Sequence, residues 1–475
     1  MQNKSNSVLN FNSNNLLYTV AVGCFFVMLC LILMSQGTYD PGDGVQHYLI
    51  AKYALHHPHL LLDHWGKPIY TLLCMPFAQF GFIGSNIFNL LCNTFTAFLA
   101  CKIVRQLGFD HTVLCFILVF FSPLFFMTSF SGLTEPTFAL LLTASVWLMI
   151  KGNMAVGAIV LSFLPFARTE GFFIIPVFAV YLMMYKQWKS IFLLGTGTAI
   201  YSLAGYLADG DLLWIVHQNP YKGALDIYGK GSLFHFVAAN DRLFGLPLVA
   251  LFVIACLALL VRGKKHPQFS WGLILLVLGS FTVYFVMHAV FWWKGLFGSL
   301  GLHRVMAGVA PMFSIVAFLG LNTVLDFSSK INKLKPLMLI AIVTAVIIWP
   351  IKQYQPPLTP DLETQVLINT ASWVKQHKVP TNKKVFCMYP MLSMLLNVDP
   401  FNTAAYISTC MLQYPDFSNS LQTGDLIFWD SHFGVECKVT PNDIAAIPHV
   451  KQLTQFQQSD GSGQTFKVVV FSVVK

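Results

Sequence analysis

Between Leu16 and Met34 the chain carries no charged side chain, and apolar runs of similar kind recur up to residue 350. A helix needs about 20 mostly apolar residues to cross the hydrocarbon core, and only helices or closed barrels satisfy their backbone there. The runs are long and do not alternate, so they choose helices. Of the 475 residues 56% are hydrophobic and only 10% charged, with a mean hydropathy of +0.63, far from a soluble domain. The expected fold is a polytopic α-helical membrane protein.

The spans predicted by hydropathy are 16–34, 84–104, 112–129, 136–150, 154–166, 172–185, 190–207, 243–261, 270–290, 303–322 and 336–350, about eleven in all. A signal peptide does not explain the first of them. The residues before it are nearly uncharged, and no small-residue cleavage site follows. One side of the resulting zigzag collects Lys4, Lys102 with Arg105, Lys151, Lys186 with Lys189, Arg262 with Lys264 and Lys265, and Lys330, Lys333 and Lys335. That is the positive-inside pattern, so the N-terminus is expected in the cytoplasm. The net charge of +9 is then a topology signal and no argument for nucleic acid.

The opposite face holds 35–83, 130–135, 167–171, 208–242, 291–302 and everything after 350. Beyond the Pro-rich segment 350–360 the composition changes. KKVFCMYP, GDLIFWD and FKVVVFSVV read as buried strands, and ETQVLINTASWVKQH has helical spacing. The expected division is therefore a membrane domain, 1–350, and a small extracytoplasmic α/β domain, 351–475. Six of the ten cysteines (Cys24, Cys30, Cys92, Cys101, Cys115, Cys256) lie in apolar runs and act as small hydrophobes. Cys387, Cys410 and Cys437 lie in the polar region, which leaves room for one disulfide.

Chemistry-bearing residues cluster on the outer side. TYDPGDGVQHYLIAKY places Asp40 in a Pro-Gly turn and Asp43 at the start of a short helix, Val45 to Leu55, expected to lie along the membrane surface. Capping and turn formation account for both carboxylates without function. A carboxylate at the membrane boundary is nonetheless costly, which points to use. The same loop adds Asp63, His64, Trp65 and Lys67. SGLTEPTF opens a span with Thr134, Glu135 and Pro136, which is ordinary helix-start grammar, yet Glu135 is the acid of that short loop. FARTEG sets Arg168 and Glu170 between apolar runs, either as a pair or as a guanidinium that forks onto a phosphate. FWWKGLFGSLGLHRV brings Lys294, His303 and Arg304 to the outer side, against the charge bias, and Tyr221, Lys222, Tyr228 and Lys230 offer a cover. No phosphate-binding glycine loop, nucleophile elbow or zinc-protease motif is present, so ATP and thiol chemistry have no support.

Together these segments resemble the GT-C superfamily of integral membrane glycosyltransferases, closest to the protein O-mannosyltransferase and lipid A aminoarabinose transferase branch. The likeness rests on an acidic first outer loop (Asp43), a helix (HYLIAKYAL), a Lys-Pro pair (Lys67-Pro68), an acid opening a later span (Glu135) and HRVMAGVAP. It covers roughly residues 16–350 in layout. The branch's Asp-Glu doublet is Asp43-Gly44 here, which leaves Asp40 and Asp43 both open as its counterpart.

The resemblance implies an enzyme of a bacterial inner membrane that moves a sugar, in the family a hexose such as mannose, from a polyprenyl-phosphate donor to a hydroxyl of a protein, lipid or glycan, with inversion. Asp43 would be the general base. Asp40, His64, Lys67, Glu135, Arg168, Glu170, Lys294, His303 and Arg304 would bind substrate, the cations stabilising the leaving phosphate. Some branches use a divalent metal, for which Asp43 and Glu135 are the oxygen ligands on offer. A transporter would instead place ionisable groups at the midplane, and a non-catalytic scaffold would be indifferent to Asp43.

Overall fold

The computed structural model describes residues 14–220, 229–263, 270–328, 335–381, 383–418, 420–461 and 463–474. Lys4, Tyr221, Lys222, Asp226, Tyr228, Lys264, Lys265, Lys330 and Lys333 lie outside them.

Every predicted apolar run is helical. Six helices among the described residues are long and apolar enough to cross a membrane: Asn14–Met34 (α1), Trp188–Asp209, Gly272–Lys294, His303–Phe327, Lys335–Tyr354 and Phe82–Gln106. A seventh span is a broken pair, Thr112–Phe120 and Pro123–Phe130, bent by 68°. The break falls at Ser122-Pro123, where proline cannot donate to the preceding turn. The remaining runs form shorter apolar helices, Glu135–Ile150, Met154–Ala167, Thr169–Met184 and Leu246–Val261, joined by Pro68–Ala78, which hydropathy did not single out.

A bent, buried segment must have its carbonyls satisfied, because lipid offers no donor. Two asparagines of Phe82–Gln106 do this. Asn89 Nδ2 donates to the carbonyls of Ser131 (2.7 Å) and Leu133 (2.9 Å), and Asn93 Nδ2 to that of Phe125 (2.8 Å). The stretch leading into Glu135 is thereby fixed from one side.

The outer loop after α1 fixes it from the other. Thr38 Oγ1 and the Tyr39 amide both donate to the Phe130 carbonyl. The following helix, Asp43–Tyr53 (α2), is the one expected along the membrane surface. Val45, Tyr48, Leu49, Ile50 and Ala51 are all buried, because Pro68–Ala78 covers one side and the C-terminal domain the other.

The C-terminal domain has a five-stranded mixed sheet of order β2-β1-β3-β5-β4. The strands are β1 (Val385–Phe386), β2 (Tyr406–Ile407), β3 (Leu426–Asp430), β4 (Val450–Ser459) and β5 (Thr465–Val473). β1 runs parallel to β2 and β3, while β5 is antiparallel to β3 and β4. Leu362–Gln376, capped by Asp361 on the Thr364 amide, packs on the sheet. Cys410 and Cys437 form the disulfide, and Cys387 stays a buried thiol.

One apolar core runs through both parts of the chain: Val45, Tyr48, Tyr70, Cys74 and Phe88 share it with Val366, Leu367, Leu392, Leu426 and Val468. The linker is correspondingly pinned. Its helical part continues through Pro350 to Tyr354, Leu358 accepts from the Gln36 and Gly37 amides, and its own amide donates to Ser35 Oγ at 2.9 Å. His57 Nε2 meets Asp399 Oδ2 at 2.9 Å beyond the far end of α2.

Candidate functional site

Four separated segments bring their charges together at the end of the bundle that carries the C-terminal domain. The chain turns at Asp40-Pro-Gly, and Asp40 Oδ1 accepts from the Gly44 amide at 3.1 Å, doing for the first turn of α2 what an N-cap side chain does. Gly42 holds the cap position itself without a side-chain bond. Asp43 is thus released from capping. Its Oδ2 meets Arg304 Nη2, while Arg304 Nη1 takes Asp40 Oδ2. The two carboxylates of the turn share one guanidinium.

α2 reaches this position by a close backbone approach. A Cβ on Gly132 would sit 2.2 Å from the Gly44 carbonyl oxygen, and one on Gly44 would sit 3.2 Å from the Gly132 amide nitrogen. Glycine at 132 is what lets the start of α2 lie against the loop that leads to Glu135, and the fit at Gly44 is tight.

Beside it, Arg168 is clamped between two acids. Nη1 donates to Glu135 Oε1 at 2.7 Å and to Thr134 Oγ1 at 3.3 Å, and Nη2 donates to Glu170 Oε1 at 2.8 Å. Glu135 is fully buried, so this is a charge-assisted network in a water-poor setting, where each hydrogen bond is strong. The network is incompletely filled: among the described residues, Glu135 Oε2, Arg168 Nε, Tyr284 OH and His288 Nε2 are buried without a hydrogen-bond partner. His288 Nε2 lies 3.8 Å from Glu170 Oε1.

Lys67 is 95% buried, at 5% exposure, and adopts a left-handed backbone at φ 60° just before the Pro68 helix. It borders a narrow crevice of about 10 Å³, room for about one water, with His64, Pro165, Phe166, Phe172 and Trp214, and the His64 and Trp214 rings lie 4.6 Å apart.

Burial raises the Asp43 carboxyl above its ordinary value, and the positive charges of Arg168, Lys67 and His432 act against that rise. These groups are therefore near enough to feel one another. His432 belongs to the C-terminal domain.

Asp40, Asp43, Lys67, Glu135, Arg168, Glu170 and Arg304 are thus brought into one neighbourhood, with His64 on the wall of the adjoining crevice. Two expected residues stand apart. Lys294 Nζ sits over the Trp293 ring at 3.6 Å, and the His303 ring lies tilted against that of His235 with centroids 5.0 Å apart, so both are engaged by aromatic neighbours. Both terminal nitrogens of Arg168 are held by carboxylates, so the paired arrangement is the one present, extended from Glu170 to Glu135. Sequence reasoning missed Tyr284 and His288, although polar groups four residues apart in an apolar span are a signal. It also missed His432.

Among the described residues no group of three or more His, Cys, Asp or Glu side chains is placed to hold a metal ion. Asp43 and Glu135, the two carboxylates on offer, each face an arginine, a poor donor set for a divalent cation.

No family model and no curated protein matches the sequence. In fold, however, the chain is similar to ArnT from Cupriavidus metallidurans, solved by crystallography bound to undecaprenyl phosphate. The TM-score is 0.62 and the sequence identity 10%, and the match covers 96% of this chain and 97% of that one. The protein is therefore an integral membrane protein with the fold of ArnT.

Proposed function

We propose that the protein is a membrane glycosyltransferase that takes a sugar from a polyprenyl-phosphate carrier and transfers it to an acceptor hydroxyl on the side of the membrane where the C-terminal domain lies. The observation that carries this reading is the convergence of Asp43, Lys67, Arg168 and Arg304, from four separate segments. The fold likeness to a protein crystallised with undecaprenyl phosphate supports it. The disulfide Cys410–Cys437 fits an oxidising compartment for that face.

In the reaction, the acceptor oxygen forms a bond to the anomeric carbon as the bond from that carbon to the phosphate oxygen breaks. Asp43 takes the hydroxyl proton. The electron pair leaves on the carrier phosphate, which needs positive charge more than a proton. Lys67 supplies positive charge to that phosphate. Arg304 orients Asp43 and adds charge on the same side. Arg168 spends its charge on Glu135 and Glu170 and so builds a rigid polar floor for the sugar.

The test is complementation of a strain lacking the protein, read as its envelope glycan and lipid profile. Asp43→Asn is expected to leave the profile of the deletion while the protein is made at wild-type level and still binds undecaprenyl phosphate. Full restoration by Asp43→Asn would sink the assignment.

A further inference from the structure

The guanidinium of Arg304 is shared between two acids that are held very differently. Asp40 is tied at both oxygens: Oδ2 takes Arg304 Nη1, and Oδ1 accepts from the Gly44 amide at 3.1 Å. Its place is fixed by the turn it closes. Asp43 has the Arg304 Nη2 contact, and among the described residues its side chain makes no other hydrogen bond. It is also the more open of the two, with a side chain 34% exposed against 16% for Asp40. An ion pair that faces water on one side is the weaker one and the one an incoming anion reaches.

The charges around this fork do not balance. Arg168 has both terminal nitrogens on Glu135 and Glu170. Lys67 is buried beside α2, where a Cβ on the neighbouring Gly66 would sit 2.6 Å from the Ile50 side chain. Four carboxylates, Asp40, Asp43, Glu135 and Glu170, thus face three cations, Lys67, Arg168 and Arg304. A phosphate added to that surplus of negative charge must draw positive charge from an acid already there. Arg168 is the wrong source, because Glu135 is fully buried and would be stranded away from water. Arg304 is the right one: Asp40 keeps one of its nitrogens, and Asp43, on the open side, is left to water.

We propose that the carrier phosphate and Asp43 compete for Arg304. The phosphate takes the Nη2 edge, Asp40 keeps the guanidinium in place through Nη1, and Asp43 is uncovered as a base only once the donor is bound. This deepens the transferase reading above and rests on it. At an empty site the guanidinium masks Asp43, so neither acceptor nor water is activated without a donor. After transfer the electron pair of the broken bond stays on the carrier phosphate and the acceptor's proton is on Asp43, which is then neutral and makes no claim on Arg304. When Asp43 gives that proton to water it regains the guanidinium and helps to expel the carrier.

Competition of this kind is reciprocal: what the phosphate takes from the Asp43 pair, removal of the Asp43 charge must return as affinity for the phosphate. Binding of undecaprenyl phosphate to the full chain in lipid nanodiscs tests it, in the wild type, Asp43→Asn, Arg304→Gln and the double variant. Asp43→Asn is expected to bind about tenfold more tightly than the wild type, within the usual range for coupled sites. In the Arg304→Gln background the same change is expected to alter affinity by less than about twofold, because the contested cation is gone. If Arg304→Gln unfolds with two acids stranded, the comparison is made in Asp40→Asn/Arg304→Gln, where one of them is removed. Equal tightening with and without Arg304 means plain repulsion by Asp43, and unchanged affinity in Asp43→Asn means no competition. Either result overturns the exchange and leaves the donor reading standing. Failure of the wild type to bind undecaprenyl phosphate overturns the transferase reading and the exchange with it.

Discussion

Arg304 reaches Asp43 across 261 residues of sequence, and the same guanidinium takes Asp40 with its other terminal nitrogen. A planar fork can serve two carboxylates at once, and a lysine ammonium cannot hold both in fixed directions. Arg304→Lys is therefore expected to keep the fold and lower turnover by about 100-fold, the usual cost of losing one well-aimed electrostatic partner. Steady-state transfer rates at saturating donor read it. Wild-type turnover in Arg304→Lys would show that the fork is dispensable.

Arg168 is a different case, because its partners are buried. Arg168→Gln leaves Glu135 and Glu170 facing each other without a cation. Breaking such a pair from one side costs about 3–5 kcal/mol. The triple change Arg168→Gln/Glu135→Gln/Glu170→Gln removes the stranded charges, and is expected to recover much of the thermal stability in detergent while remaining inactive. Additive losses across the set would contradict the network.

Gly132 tests the approach of α2. With a Cβ placed 2.2 Å from the Gly44 carbonyl oxygen, Gly132→Ala must push the helix away from the loop. Overpacking of this kind costs about 1–3 kcal/mol. The displacement of Asp43 should reduce turnover more than it reduces stability, since a shift of about 1 Å can cost 100-fold in rate. Parallel melting and rate measurements separate the two effects.

Asp430 gives a pH signature in the C-terminal domain. Burial pushes its carboxyl up to about 6, against the opposing amide bonds from Phe433 and His432. A group whose folded pKa is raised contributes stability that is fully present below its unfolded value, about 3.9, and lost as pH rises through about 6. Asp430→Asn should therefore flatten the melting temperature between about pH 4 and 7, removing at most about 3 kcal/mol of pH dependence. An unchanged slope would mean the carboxyl is ionised throughout that window.

The helices and their approximate ends were legible because the apolar runs of a membrane chain are both its composition and its architecture. Asp43, Glu135, Arg168 and Arg304 stood out for a related reason: charge at the membrane boundary is expensive. The pairings among them were not legible. Nothing in the spacing says that Arg304 forks onto Asp40 as well as Asp43, so the sequence suggested separate duties for two acids that share one partner. The burial of α2 was hidden too, since its covering residues come from Pro390–Leu396 and the sheet, more than 300 positions away. Tyr284 and His288 were lost among the polar exceptions that any long span tolerates.

The core that α2 shares with Val366, Leu367, Leu392 and Val468 has a temporal meaning. During synthesis the first outer loop emerges early, but the surfaces that enclose it are made last. Until Val468 has been translated, the Asp43 helix has no complete housing, and Arg304 has nothing rigid to grasp. A half-made or truncated chain can thus insert its spans without assembling the charge cluster, so the site stays incomplete until the final strand is in place.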